Sequence, residues 1–265
     1  MKLTQENYHS QEANQHYLSV SQYKEFAGML GRPACEAKAL AKFRGVWLQE
    51  PSTAMLVGSY VDAFFEGTLE AFTIAHPEIF KRDGGLKAEY VKAREVIARI
   101  HRDEYFTTCL SGEKQVIMTA ELFGQPWKIK MDSFHPGRAI VDLKVMESLG
   151  KFFWVKDFGK MNFIEYWGYD IQGAIYQKVC HLNTGVQVPF VIAAATKEEH
   201  PDIEVIGFDQ QRFDDVLSEV RENVEHIVEL KNGTVEPVRC GQCDYCRDTK
   251  VLTKPIHYTE LRERV

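Results

Sequence analysis

Between residues 114 and 145 the chain leaves helical spacing for strict alternation, and no other stretch constrains the fold as much. Val116, Met118, Ala120 and Leu122 alternate with other residues, Gly124-Gln125 offers a tight turn, and Trp127-Lys-Ile-Lys-Met-Asp-Ser-Phe134 runs back. That pattern is a β-hairpin. His135-Pro-Gly-Arg138 interrupts again before Ala139-Ile-Val-Asp-Leu-Lys-Val145, so an antiparallel three-strand meander is expected.

Helical spacing surrounds the meander. Ser19 or Ser21 is placed to cap a helix, residues 54–69 repeat apolar side chains at four-residue steps, and 87–105 reads as a more exposed helix. Apolar positions 164, 167, 171, 175, 179 and 182 predict one long helix stopped by Asn183-Thr-Gly185. The apolar run 186–195 suits a strand buried on both faces, 203–208 a neighbouring strand, and 210–230 an amphipathic helix. The expected class is α/β, a mixed central sheet flanked by helices. Residues 1–18 are read as a polar arm, 19–236 as one domain and 237–265 as a cysteine-containing segment packing on it.

Of the 265 residues 45% are hydrophobic, enough to build a large core and too many for a disordered chain. No apolar run reaches the ~18–20 residues of a membrane helix and the start lacks a signal-peptide core, so the expected location is cytoplasmic, with no membrane partner. The net charge of −6 excludes a generally basic coat; contact with nucleic acid must be a local groove.

Asp142-Leu143-Lys144 puts a carboxylate and an ammonium on one face of a strand. Asp132 stands directly opposite Asp142 if the intervening loop has an odd number of residues, and on the other face if the number is even. An ordinary solvated ion pair is the competing reading of any D-x-K. Here, however, the aspartate lies in an apolar strand, where an unpaired carboxylate is costly to desolvate. Two such oxygens, with the Leu143 carbonyl and waters, describe a Mg²⁺ or Mn²⁺ site, and Lys144 would orient water or stabilise charge on a phosphate. Gln172 and Tyr176 lie one helical turn apart on a single face.

In these residues the chain resembles the PD-(D/E)xK nuclease superfamily, specifically RecE-like exonucleases of phages and prophages with a RecB-type domain. Gly58-Ser-Tyr-Val-Asp62, Glu113, Asp132, Asp142-Leu-Lys144 and Gln172-Gly-Ala-Ile-Tyr176 occur in the family's order. The resemblance implies a restriction-endonuclease-like core and a metal-dependent exonuclease of double-stranded DNA ends in phage-type recombination, with a single-strand annealing protein as partner and an oligomer as one expected form. It implies metal ligands at Asp62, Asp132, Asp142 and the Leu143 carbonyl, Asp132, Asp142, Lys144 and Glu113 as catalytic, and Gln172 and Tyr176 contacting DNA or supporting the lysine. The family usually has histidine where this chain has Asp62, and Glu121 is the alternative to Glu113. A non-catalytic nucleic-acid-binding or assembly module with the same fold and a CRISPR-adaptation-type nuclease are the rival readings.

Cys240, Cys243 and Cys246 have C-x₂-C-x₂-C spacing, which brings three thiolates to one centre. Cys35, just upstream of the core, is the candidate fourth ligand: here the chain also resembles helicase–nuclease subunits and CRISPR-adaptation nucleases, and that resemblance implies a [4Fe–4S] cluster held by one early and three late cysteines. Structural Zn²⁺ or no metal are the alternatives; Cys109 and Cys180 read as packing residues. Finally, Lys151, Lys156 and Lys160 fall beside Phe152, Phe153, Trp154 and Phe158, either lining a nucleic-acid groove or forming an ordinary loop with its aromatics buried.

Overall fold

The computed structural model describes residues 1–259; the end of the segment expected at 237–265 lies outside them. Helices α1 (Gln11–His16), α2 (Val20–Ala27), α3 (Glu36–Phe43), α4 (Thr53–Glu66), α5 (Leu69–Ala75), α6 (Ala88–His101) and α7 (Glu104–Cys109) precede the meander β1 (Glu113–Leu122), β2 (Gln125–His135) and β3 (Ala139–Met146). A small hairpin, β4 (Phe153–Val155) and β5 (Gly159–Met161), leads into α8 (Phe163–Trp167) and α9 (Tyr169–Thr184). Strands β6 (Phe190–Thr196) and β7 (Ile203–Ile206) then precede α10 (Gln210–Asn232) and α11 (Asp244–Asp248).

The sheet order is β1-β2-β3-β6-β7, and only β3 and β6 run parallel. This is the mixed sheet the sequence predicts. One face packs Val141, Leu143, Ala193 and Ala195 against α4 and α6 through Val61 and Val96; the other packs Ile140, Ile192 and Ala194 against α9 and α10. β6 is buried along nearly its whole length, as a parallel central strand covered on both faces must be.

Two predicted helices are each broken. The 87–105 stretch divides at Asp103, whose carboxylate accepts the Phe106 amide and starts α7. The 164–182 stretch divides at Gly168, whose left-handed φ of 59° ends α8 and begins α9, so apolar spacing alone conceals a change of direction. The expected strand 186–195 is regular only from Phe190. Residues 1–18 carry no periodic signal, yet they dock: Tyr8, Ala13 and Leu18 are buried, and Ser10 caps α1.

Gly173 sets how closely α9 approaches the sheet. A Cβ there would lie 2.6 Å from the Phe213 ring and 2.8 Å from Phe190, inside contact distance. Gly173→Ala should therefore destabilise the protein by about 1–3 kcal/mol through overpacking, read as a lower thermal midpoint, and adding Phe213→Leu should recover part of the loss.

Candidate active site and a cysteine centre

The site begins where two strands part. β2 pairs with β3 only at Ser133↔Val141, Phe134↔Ile140 and His135↔Ala139. The odd loop therefore holds, and continuing the register sets Asp132 across from Asp142. There the ladder stops, and the backbone groups it abandons find side chains instead. Asp132 Oδ2 accepts the Leu143 amide at 3.0 Å, and Tyr176 donates its hydroxyl to the Lys130 carbonyl at 3.2 Å. Farther along β2 the chain entering α2 takes over the empty edge, with Leu18 bonded to Pro126 and Lys128. Between these two pairings a cleft of ≈ 480 Å³ opens, lined among others by Lys24, Lys42, Lys130, Asp132, Gln172 and Tyr176.

β1 accommodates the same defect. Gln115 stands opposite Asp132 with a left-handed φ of 52°, strained for a residue with a side chain. The inward-facing sequence Val116, Met118, Ala120 and Leu122 on β1 gives way at this point, and on β2 the core residues Met131 and Phe134 are three apart instead of two. Gln115 Nε2 donates to Glu66 Oε1 at 2.5 Å and lies 3.4 Å from Asp132 Oδ1. Glu66 is four residues after Asp62 on α4, and both acids line a small cavity of ≈ 10 Å³ with Asp132 and Leu143, about the space of one water or ion. Since the N–H and C=O of an extended residue face the same edge, the Leu143 carbonyl is directed to the side from which Asp132 takes its amide.

Asp142 is buried, 2% exposed. Its Oδ1 accepts Gln172 Nε2 at 2.6 Å, and its Oδ2 forms an ion pair with the Lys144 ammonium. Gln172 thus supports Asp142 rather than the lysine. Burial and the neighbouring Asp142 charge push the Asp132 carboxyl up to about 7, and burial with Asp132 raises Asp62 well above the usual carboxylate range. Burial alone would lower Lys144, but Asp142 and Asp132 outweigh it and hold it firmly protonated. Lys24 is brought down to about 8, first by burial and then by Lys144. The pattern is an excess of buried negative charge around one ammonium. An all-oxygen donor set of this kind fits a hard divalent cation, whose charge would offset the desolvation of the carboxylates.

Not every expected residue joins. Glu113 is exposed at the start of β1 opposite Phe134, and Glu121 is exposed near the other end, opposite Pro126. The acid that reaches the cavity is Glu66, on the face of α4 that Asp62 already marks; the i, i+4 spacing was its signal. Gln115 and Lys24 gave none, because a left-handed strand residue and a helix lysine 120 positions from Lys144 have no local signature. Nor do the three aspartates crowd around a single point as the cysteines do.

Among the described residues, Cys35, Cys240, Cys243 and Cys246 are the group whose ligand atoms all lie within 4.8 Å of one another. Cys35 Sγ is 3.5 Å from Cys246 Sγ, and Cys240 Sγ 4.0 Å. The Cys243 amide points at Cys240 Sγ (3.3 Å) and the Cys246 amide at Cys243 Sγ (3.4 Å), the geometry of a loop wrapped around thiolates. Burial opposes ionisation of Cys240, but the amides of Gln242 and Cys243 outweigh it and bring the thiol down to about 6. The early cysteine therefore meets the late three: Ala37 donates to the Val238 carbonyl, and Lys38 pairs with Asp244 at 2.5 Å. Four cysteines so placed can hold a metal.

The hairpin at β4 and β5 does not bury its aromatics as an ordinary loop would; Phe152, Trp154 and Phe158 are exposed. No helix among the described residues is long and apolar enough to cross a membrane.

No curated protein matches the chain. It is similar over 100% of both chains, at 54% identity and a TM-score of 0.96, to a crystal structure of a "Putative exonuclease" from Eubacterium rectale. Residues 19–249 match the family described as a PDDEXK-like domain of unknown function. That span includes the parted strands, Asp62, Asp132, Asp142, Lys144 and all four clustered cysteines, and the chain belongs to this PDDEXK-like family.

Proposed function

We propose that the protein is a divalent-metal-dependent nuclease that degrades DNA from its ends. One observation carries the reading: the register sets Asp132 across from Asp142 on strands that have separated, with Lys144 on the Asp142 carboxylate and Asp62 sharing a small cavity with Asp132. Membership of the PDDEXK-like family and the likeness to an exonuclease structure support it. Mg²⁺ or Mn²⁺ would be held by Asp132, Asp142, the Leu143 carbonyl and Asp62, with Glu66 beside them. When bound, the ion supplies a water acidic enough to attack phosphorus and positive charge for the phosphate oxygens.

The protein's own groups do the rest. Lys144, held beside the Asp142 carboxylate, places a cation where charge develops on phosphate. Gln172 and Lys144 take the two oxygens of Asp142 and fix its rotamer. The Leu143 amide fixes Asp132. Lys24 and Lys130 supply the cleft with the local positive charge that a chain of net charge −6 needs in order to attract a polyanion, Lys42 being paired with Glu25. Tyr8 and His9 from the N-terminal segment also line the cleft. A place in phage-type recombination, beside a single-strand annealing protein, follows from the resemblance alone.

At the cysteines the spacing favours a single tetrahedral ion. Metal–thiolate bonds of ~2.3 Å in a tetrahedron separate sulfurs by about 3.8 Å, in keeping with the observed 3.5 and 4.0 Å. A [4Fe–4S] cluster interposes a cage of irons and sulfides and needs thiolates farther apart. We therefore assign structural Zn²⁺ here in preference to the cluster.

Three outcomes test these assignments. With end-labelled linear duplex, cleavage should require Mg²⁺ or Mn²⁺, stop in EDTA and spare closed circular DNA. Asp142→Asn and Lys144→Ala should each lower turnover about 100-fold or more with DNA binding retained; an undiminished rate in either would move the chemistry elsewhere. Purified protein should be colourless with about one zinc per chain, and Cys35→Ser should lose it and melt earlier, whereas brown, sulfide-containing protein would reverse the zinc assignment.

A further inference from the structure

Between β3, which carries Asp142 and Lys144, and α9, which carries Gln172, the chain makes the β4–β5 hairpin. Its pleat is divided cleanly. Val155 and Met161 are buried, and Phe153 stacks on Tyr166 at 3.9 Å and 10°, a ring that the Arg32 guanidinium also covers at 3.5 Å. The inner face is thereby closed. The outer face presents the cross-strand pair Trp154 and Lys160, with Phe152 beside them under the Lys160 ammonium, 3.9 Å from the ring centre. Trp154 is 81% exposed, Phe152 51% and, at the tip, Phe158 50%.

A short hairpin gains nothing in stability from three solvent-facing rings, and a group of them in one place marks a contact surface. The neighbours narrow what it contacts. Lys160 lies on the Phe152 ring and Lys156 follows Val155 at the end of β4, in a chain whose net charge is −6, so flat apolar faces and cations occur together in this short segment. That combination fits a polymer with exposed ring faces and a charged backbone. The hairpin that carries this surface is linked to the cleft wall from its inner side: Lys24, on that wall, donates to the Trp167 carbonyl at 2.9 Å, and the half-exposed Trp167 ring lies 6.3 Å from Phe153.

We propose that this hairpin is a stacking platform for single-stranded DNA, with bases laid on Trp154 and Phe152 and phosphates met by Lys160 and Lys156. The proposal deepens the nuclease reading and rests on it for the identity of the polymer. It gives the protein a second hold on an unpaired strand at a DNA end, outside the residues that would perform hydrolysis.

The test uses the full chain with no Mg²⁺ or Mn²⁺ added and no chelator, so that binding is separated from cleavage while the cysteine centre keeps its metal. Anisotropy of a short fluorescein-labelled single-stranded oligonucleotide should show Trp154→Ala weakening affinity about tenfold, and Trp154→Ala with Phe152→Ala more. Trp154→Phe should retain most of it, and Lys156→Gln with Lys160→Gln should flatten the salt dependence. Hydrolysis of a p-nitrophenyl phosphodiester, too small to reach the hairpin, should be unchanged in Trp154→Ala. Undiminished oligonucleotide affinity in a folded Trp154→Ala protein overturns the proposal. So does a Trp154-dependent dimer in sedimentation with DNA affinity unaltered, which would make the face a contact between copies of the chain. Failure of the parent protein to hydrolyse any phosphodiester would sink the nuclease reading but leave the binding result standing.

Discussion

One backbone amide governs the arrangement of the centre. Leu143 N–H belongs to a strand that has lost its neighbour, and a buried amide without an acceptor is costly. Asp132 supplies the acceptor from its side chain. The substitution lets β2 and β3 diverge without a broken hydrogen-bond account, and the divergence is the cleft. It also holds a carboxylate beside Asp142, where neither acid would otherwise rest, so the cost of separating the strands and the cost of crowding the charges are met at one point. Tyr176 performs the same service for the Lys130 carbonyl on the opposite bank.

The sheet was legible because its signals are local. Alternation at 116–122 and the apolar run of β6 each specify a strand without reference to the rest of the chain, whereas the loop after His135 left Asp132 two possible faces until the pairing of Ser133 with Val141 chose between them. Asp142 and Lys144 were legible for a related reason, since charge in an apolar strand demands a partner. What escaped depends on distant geometry. Gln115 adopts its conformation because β1 must follow a defect in β2, and Lys24 reaches the site only because α2 packs across the sheet edge. Glu113 misled because sequence order does not report how far a strand has turned by its first residue.

The two ends of the chain illustrate the same limit. Cys35 and the late cysteines could be joined on paper by spacing and resemblance, and the backbone bond from Ala37 to Val238 shows the ends side by side. Metal-bound thiolates closing so long a loop would restrict the unfolded chain strongly, in the manner of a disulfide. The N-terminal residues offered no comparable clue, because their docking uses isolated side chains such as Tyr8 and Tyr17 in an otherwise polar stretch.

Lys128 is a cation enclosed beside the cleft. Its side chain is 1% exposed, its ammonium bonded to the Tyr8 carbonyl at 2.5 Å and to Asn14 Oδ1 at 2.8 Å, and burial brings its pKa down to about 8. The Lys128 ammonium thus joins the bonds from Leu18 and Gln5 in tying the leading segment to the strands beside the cleft. A shortened chain beginning near residue 19, which the polarity of the first residues invites, would strip that cation of both its acceptors and its cover, on the strand that also carries Asp132. The leading segment is in this sense part of the interior, and its polar composition is the counterpart of the charge it covers.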